Sequence, residues 1–177
     1  MSEKPWEDPL SPWKNKAQFF NWLRGNLRKA VWQFYPIKLE AKKLWAVPHP
    51  ERKGWRQIQC ALTGEMVSFS AAESDHIVGN VSLQDWGDVL PFIQHLCANS
   101  DELQGVSKEA HRVKSYAEKM GITFEEALLQ KKAIEIIKSK KDVAWIKEQG
   151  YTPETNSKKR REQIIEILRE TNGKEML

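Results

Sequence analysis

The apolar period of this chain changes twice, and that change restricts the folds open to it. Before residue 45, Phe20, Leu23, Leu27, Ala30 or Val31, and Phe34 recur every three or four positions, the spacing of one helix face. From Trp55 to Phe69 the pattern shortens to strand-like runs, 55–60 and 66–69, around Thr63-Gly64-Glu65, a hairpin-turn sequence. After Ser107 the helical period returns and holds to the end. Strands enclosed between helices at both ends predict an α+β protein.

Taken in order, residues 1–14 hold Pro5, Pro9 and Pro12 with Trp6 and Trp13, and read as an extended lead-in that docks on the body through its tryptophans. Asn15 offers an N-cap to a helix reaching about Phe34. Tyr35-Pro36 breaks it, 37–45 forms a second short helix, and 47–50 reads as a linker. Between 83 and 97, Leu83, Trp86, Val89, Leu90, Ile93 and Leu96 carry helical spacing, with Pro91 to be accommodated. Ser107 caps a helix stopping at Gly121, and Thr123 with Glu126 forms a capping box for the next. A further short segment ends at Gly150, and a last helix carries Lys158-Lys159-Arg160-Arg161.

Charge is segregated. Residues 1–60 hold twelve Lys/Arg against five Asp/Glu, and residues 108–177 hold sixteen against twelve. Residues 61–107 hold no Lys or Arg and seven acids. An acidic centre between basic arms suits a cation site on a polyanion-binding protein. No apolar run is long enough to span a bilayer and the start lacks a signal pattern, so a soluble, cytoplasmic protein is expected, without membrane partners. Cys60 and Cys97 are too few for a disulfide framework and are expected to be free thiols.

The chemistry concentrates in Ser74-Asp75-His76-Ile77 and in Lys108-Glu109-Ala110-His111-Arg112-Val113-Lys114. A carboxylate can hold a hard divalent cation while an adjacent imidazole takes a proton from water. On a regular strand Asp75 and His76 would point to opposite faces, which a bulge or twist could overcome. His111, near the start of a helix, is placed to reach back as a second ligand. His95 and His49 read as structural or solvent-facing.

This ordered set resembles the HNH endonuclease family of phage type, whose ββα-metal core is two strands and a helix around one divalent ion. Asp75-His76-Ile77 matches its opening, and Leu103-Gln104, His111 and Lys114 match its closing pattern; the resemblance covers residues 56–118. Glu102 occupies the slot of the family's middle asparagine. Of the four cysteines that bind a structural zinc in many relatives only Cys60 is present, with Thr63, Ser107 and Ala110 at the other positions. One thiolate cannot make a tetrahedral zinc site, so no structural zinc is expected.

The resemblance implies a ββα-metal nuclease core with helical N- and C-terminal flanks: a flank at 1–54, a core at 55–120 with a helical insert at about 83–97, and a basic helical region at 121–177. It implies hydrolysis of DNA phosphodiester bonds to 5′-phosphate and 3′-hydroxyl ends. Asp75 and His111 would hold one Mg²⁺ or Mn²⁺, His76 would act as general base, and Glu102 would orient it. Arg24, Arg28, Lys29, Arg112, Lys114, Lys158, Lys159, Arg160 and Arg161 are the expected contacts to double-stranded DNA. A homodimer is left open. Two other readings compete: an HNH-fold DNA-binding module without catalysis, supported by Glu102 and the missing cysteines, and a helical interaction protein in which Asp75-His76 is accidental.

Overall fold

Asn15 opens the first helix, α1 (Lys16–Leu27): its side-chain oxygen accepts the Gln18 N–H at 3.0 Å. The computed structural model describes residues 4–79 and 81–175. The helix does not stop at Leu27 but continues as a π-helical turn, Arg28–Trp32, closed by the Gln33 N–H on the Arg28 carbonyl at 3.0 Å. Such turns shift the helical phase for everything that follows. Pro36 then sits in the first turn of α2 (Pro36–Trp45), where its missing N–H removes no helical bond.

The chain is a mixed α+β protein that divides into two compact units, Met1–His111 and Arg112–Leu177. The first holds both sheets. In one, β1 (Val47–Pro48), β2 (Arg56–Gln59) and β3 (Met66–Ser68) run antiparallel in that order. The segment expected to be a linker therefore supplies a short edge strand, and its Pro48 is tolerated because edge strands can lack a donor. Gly64 turns the β2–β3 hairpin at φ +72°, a left-handed conformation that favours glycine.

The other sheet is a single antiparallel pair. β4 (Ala72–His76) and β5 (Leu103–Ser107) align without a bulge, Asp75 opposite Gln104 and His76 opposite Leu103. Between them lie residues 77–102, which carry a short 3₁₀ turn, Trp86–Asp88, and α3 (Val89–Leu96). Pro91 falls in the first turn of α3, which is how the helix accommodates it. Gly105 marks a close approach: a Cβ there would lie 2.7 Å from Ile58 Cγ2 and 3.1 Å from the Trp45 ring. β5 passes directly into α4 (Lys108–Met120), and the Ser107 hydroxyl caps it by accepting the Ala110 N–H at 3.1 Å.

Among the described residues, two apolar clusters run through this unit. Phe19, Phe20, Leu83, Phe92 and Leu96 form one, with Trp6 and Trp13 packed against it, so the proline-rich lead-in docks as expected. Ala41, Ala98 and Leu103 form the other, with Trp32, Ile37 and Trp45 around them. The N-terminal residues are thus part of the body that carries β4 and β5, since α2 supplies one wall of the second cluster.

The division between units falls inside α4. The second unit continues through α5 (Phe124–Lys138), α6 (Asp142–Glu148) and α7 (Ser157–Glu175). Thr123 caps α5 through the Glu126 N–H, and Gly121 at φ +65° ends α4. Ala133, Ile146, Ile164 and Ile167 are buried together there, and Val113, Ala117 and Ala127 form a second group. No helix among the described residues is long and apolar enough to cross a membrane.

Candidate functional site

Side chains alternate along a strand, so Glu73 and Asp75 share one face of β4 while Ser74 and His76 share the other. The unbroken register of β4 and β5 preserves that alternation. No bulge brings Asp75 and His76 onto one face, and the two residues have different company.

On the first face, His111 comes back from the first turn of α4 between two carboxylates. Its Nδ1 lies 2.8 Å from Glu73 Oε2 and its Nε2 lies 3.4 Å from Asp75 Oδ1. The cross-strand neighbour Gln104 donates its amide to Asp75 Oδ2 at 3.2 Å, which fixes the carboxylate plane. A carboxylate on Nδ1 holds that nitrogen as the N–H donor. The Nε2 lone pair then faces Asp75 whenever a cation replaces a proton between them. Asp75 is 11% exposed at its side chain against 34% for His111 and 40% for Glu73, so the pair is open on the Glu73 side.

Asp75 and His111 were the expected ligands, and the fold brings them together. Glu73 was missed by the sequence reading, although its place two residues before Asp75 was the available signal. Among the described residues no group of three His, Cys, Asp or Glu side chains could by itself hold a metal. Two donors nevertheless suit Mg²⁺ or Mn²⁺, ions that keep waters and take substrate oxygens in their remaining positions. The residues present fit such an ion.

On the second face, His76 is 9% exposed and lies in an aromatic stack. Its ring centroid is 4.1 Å from Trp32 and 3.9 Å from His95, both near-parallel. Nε2 lies 2.7 Å from the His95 carbonyl oxygen. A carbonyl only accepts, so Nε2 carries the hydrogen, and Nδ1 is the basic nitrogen of the neutral ring. The acceptor on Nε2 is therefore a main-chain carbonyl instead of the Glu102 carboxylate. Glu102 Oε2 accepts the Asn99 N–H at 2.7 Å and closes a capping box, while the Glu102 carbonyl accepts the Ile77 N–H at 2.8 Å. Glu102 positions the end of β4 through backbone, and His95, read as structural or solvent-facing, is the residue that touches His76. His49 Nδ1 accepts the Glu51 N–H at 3.2 Å in a local turn.

The four positions matched to zinc ligands converge without the donors for zinc. Ser107 donates its N–H to Cys60 Sγ at 3.3 Å, the thiol lies 3.9 Å from the Ser107 hydroxyl, and that hydroxyl accepts from Ala110 N–H. Burial pushes the Cys60 thiol up, but hydrogen bonds from the Thr63 hydroxyl and the Ser107, Leu62 and Thr63 backbone outweigh it and leave the thiol below its ordinary value. One sulfur, two hydroxyls and a methyl do not fit zinc. A small hydrogen-bond cluster joins the hairpin to the strand–helix junction in its place. Both cysteines are free thiols, Cys60 buried and Cys97 exposed.

The nine basic residues expected at DNA differ in exposure and in the contacts they make. Lys29, Arg112, Lys158 and Lys159 are exposed. Arg24 donates to the Leu83 carbonyl at 3.2 Å, and Arg28 lies 5.8 Å over the Phe92 ring, its pKa lowered by burial and by Arg24. Lys114 is only 12% exposed at its side chain and pairs with Glu118 at 3.3 Å. Arg160 binds Asp142 at 2.6 Å and the carbonyls of Glu154 and Thr155. The Arg160 hydrogen bond, against the opposing effect of burial, holds the Asp142 carboxyl below its ordinary value. Arg161 reaches Gln130 at 3.4 Å. The run 158–161 therefore presents two lysines outward and turns two arginines inward.

No family model matches this chain, and neither does any curated protein or solved structure.

Proposed function

We propose that this protein is a metal-dependent, HNH-type DNA endonuclease with a ββα-metal core made of β4, β5 and the start of α4. One observation carries the reading: Asp75 Oδ1 and His111 Nε2 face each other at 3.4 Å, with the far nitrogen of His111 held by Glu73. A carboxylate and an imidazole so oriented, the imidazole backed by a second carboxylate, form a common ligand arrangement for a catalytic cation. The convergence of Cys60, Thr63, Ser107 and Ala110 supports the same reading, because the ordered motif predicts that those four positions meet.

Asp75 and His111 would hold the ion, Gln104 orients the Asp75 carboxylate, and Glu73 sets the tautomer of His111. When bound, the ion would supply neutralisation of charge on the scissile phosphate and on the departing 3′ oxygen. The water oxygen bonds to phosphorus, the bond to the 3′ oxygen breaks and that oxygen takes a proton from solvent, giving 5′-phosphate and 3′-hydroxyl ends; His76 would accept the water's proton on Nδ1, which requires its ring to reach the Asp75 side of β4. Supercoiled plasmid incubated with protein and Mg²⁺ or Mn²⁺ tests this. Conversion to nicked or linear forms that chelator stops is the expected result, and unchanged plasmid overturns it.

A second reading is an HNH-fold DNA-binding module without cleavage, and the placement of His76 favours it. The ring is enclosed between Trp32 and His95 on the face of β4 opposite Asp75. Electrophoretic retardation of the plasmid without cutting is its signature.

A further inference from the structure

Beside the free edge of β4 lies an open cleft of about 550 Å³, lined among others by Trp32, Tyr35, Lys38, Lys42, Glu73 and His111. It borders the face that carries Glu73 and His111, and it is walled by α2. Lys38 and Lys42 stand one helical turn apart on α2 and enter the cleft together. Each ammonium is tied down by neutral groups. Lys38 donates to the Trp32 carbonyl at 2.9 Å and lies 4.4 Å over the Trp32 ring. Lys42 donates to the Ala72 carbonyl at 2.6 Å and lies 4.7 Å over the Phe69 ring.

Neither ammonium has a carboxylate ion-pair partner among the described residues. Burial lowers the pKa of both; for Lys38 the neighbouring Lys42 lowers it further, while for Lys42 the nearby Glu73 carboxylate opposes the shift without cancelling it. Two partly desolvated cations held close together are costly unless an anion joins them. An ammonium has three hydrogens, and one hydrogen bond from each lysine leaves donors for such an anion. The N-terminal end of α2, at Pro36, lines the same cleft and adds its positive dipole end.

We infer that Lys38 and Lys42 form a phosphate subsite that grips the sugar–phosphate backbone of a nucleic acid next to the Asp75–His111 pair. This deepens the endonuclease reading and rests on it: a backbone phosphate seated on the two lysines sets a neighbouring phosphodiester group toward His111. The two aromatic rings lie under the ammonium groups, so the ammonium positions are prepared before the anion arrives. Both lysines are positioning residues and take no proton in the reaction.

The test separates binding from cutting. Binding of a fluorescent 20-base-pair duplex is measured by anisotropy in EDTA, across a chloride series, for wild type, Lys38→Gln, Lys42→Gln and the double variant. Arginine at each position serves as the charge-retaining control, and thermal melts establish that each variant is folded. The double variant should bind at least tenfold more weakly at low salt. Its slope of log K against log salt should shrink by about 1.8, from two phosphate contacts at roughly 0.9 each. The arginine variants should stay within about threefold of wild type. A folded double variant with wild-type affinity and slope overturns the subsite. Phosphorus NMR of inorganic phosphate decides the source: phosphate binding lost in the double variant while duplex affinity is unchanged assigns the site to free phosphate and also overturns the inference. Plasmid cleavage, scored separately with Mn²⁺, reports on the endonuclease reading alone, because the anisotropy arm contains no metal.

Discussion

The two faces of β4 are built in opposite ways from adjacent residues. Glu73 and Asp75 meet a partly exposed imidazole through ionic and hydrogen-bond contacts that a cation can enter. Ser74 and His76 face the helices: the Ser74 hydroxyl donates to the Lys38 carbonyl at 3.0 Å, and His76 is clamped between two rings and a carbonyl. One face is arranged for exchange with ions in solvent, the other for rigidity. On the proposed reading, cation binding and proton acceptance are therefore separable, and substitutions can address each face without the other.

The largest effect should come from the first face. Asp75→Ala and His111→Ala each remove one of the two proposed protein ligands, and calorimetric titration of Mn²⁺ should show binding too weak to measure, with cleavage lost alongside. Unchanged Mn²⁺ affinity in both would take the cation site away from this face.

Next comes the stack. His76→Phe retains an aromatic ring between Trp32 and His95 but has no basic nitrogen. Cleavage should fall by ~10²–10⁴-fold, the usual contribution of a general base, while Mn²⁺ affinity stays near wild type and the thermal midpoint drops modestly because the His95 carbonyl loses its donor. Wild-type cleavage by this variant would make the second face purely structural and the comparison one of site against scaffold. His76→Ala adds the loss of stacking and should lower the thermal midpoint further.

Glu73→Gln sharpens the first face at smaller cost. The amide can still reach Nδ1 but no longer holds it as a donor to a charged acceptor. Mn²⁺ affinity should drop by about 10–100-fold, the range for residues that orient a ligand. No change would leave Glu73 as a solvent-facing carboxylate.

The smallest effect is expected at Glu102. Because the His95 carbonyl fixes the His76 tautomer, Glu102→Gln should leave the onset of the pH–rate profile where wild type has it. A shift of the onset to lower pH would mean that the carboxylate raises the imidazole pKa after all, linking Glu102 to the second face.

Much of the framework was legible in the chain. Helix starts at Asn15, Ser107 and Thr123 depend on a side-chain oxygen reaching an N–H three residues on, and the structure contains each of those bonds. Gly64 and Gly121 adopt the positive φ that their turns require. The pairing of Asp75 with His111 was also readable, as an ordered motif. These signals act within a few residues or are carried by residue type.

What the chain did not disclose depends on which distant segments meet. Glu73 reaches a histidine 38 positions away, and the His76 ring is held by residues from the π-helical turn at 28–32 and from α3. Whether a given arginine of the run 158–161 faces water or Asp142 depends on the packing of α6 against α7, and nothing in four consecutive basic letters distinguishes them. Sequence by itself determined the period of each element, the caps and turns, and the types of group available at Asp75, His76 and His111. Tertiary structure alone decided that β4 keeps its regular alternation. Strand register is set by pairing and burial on both faces together, and it put the carboxylate and the adjacent imidazole on opposite sides.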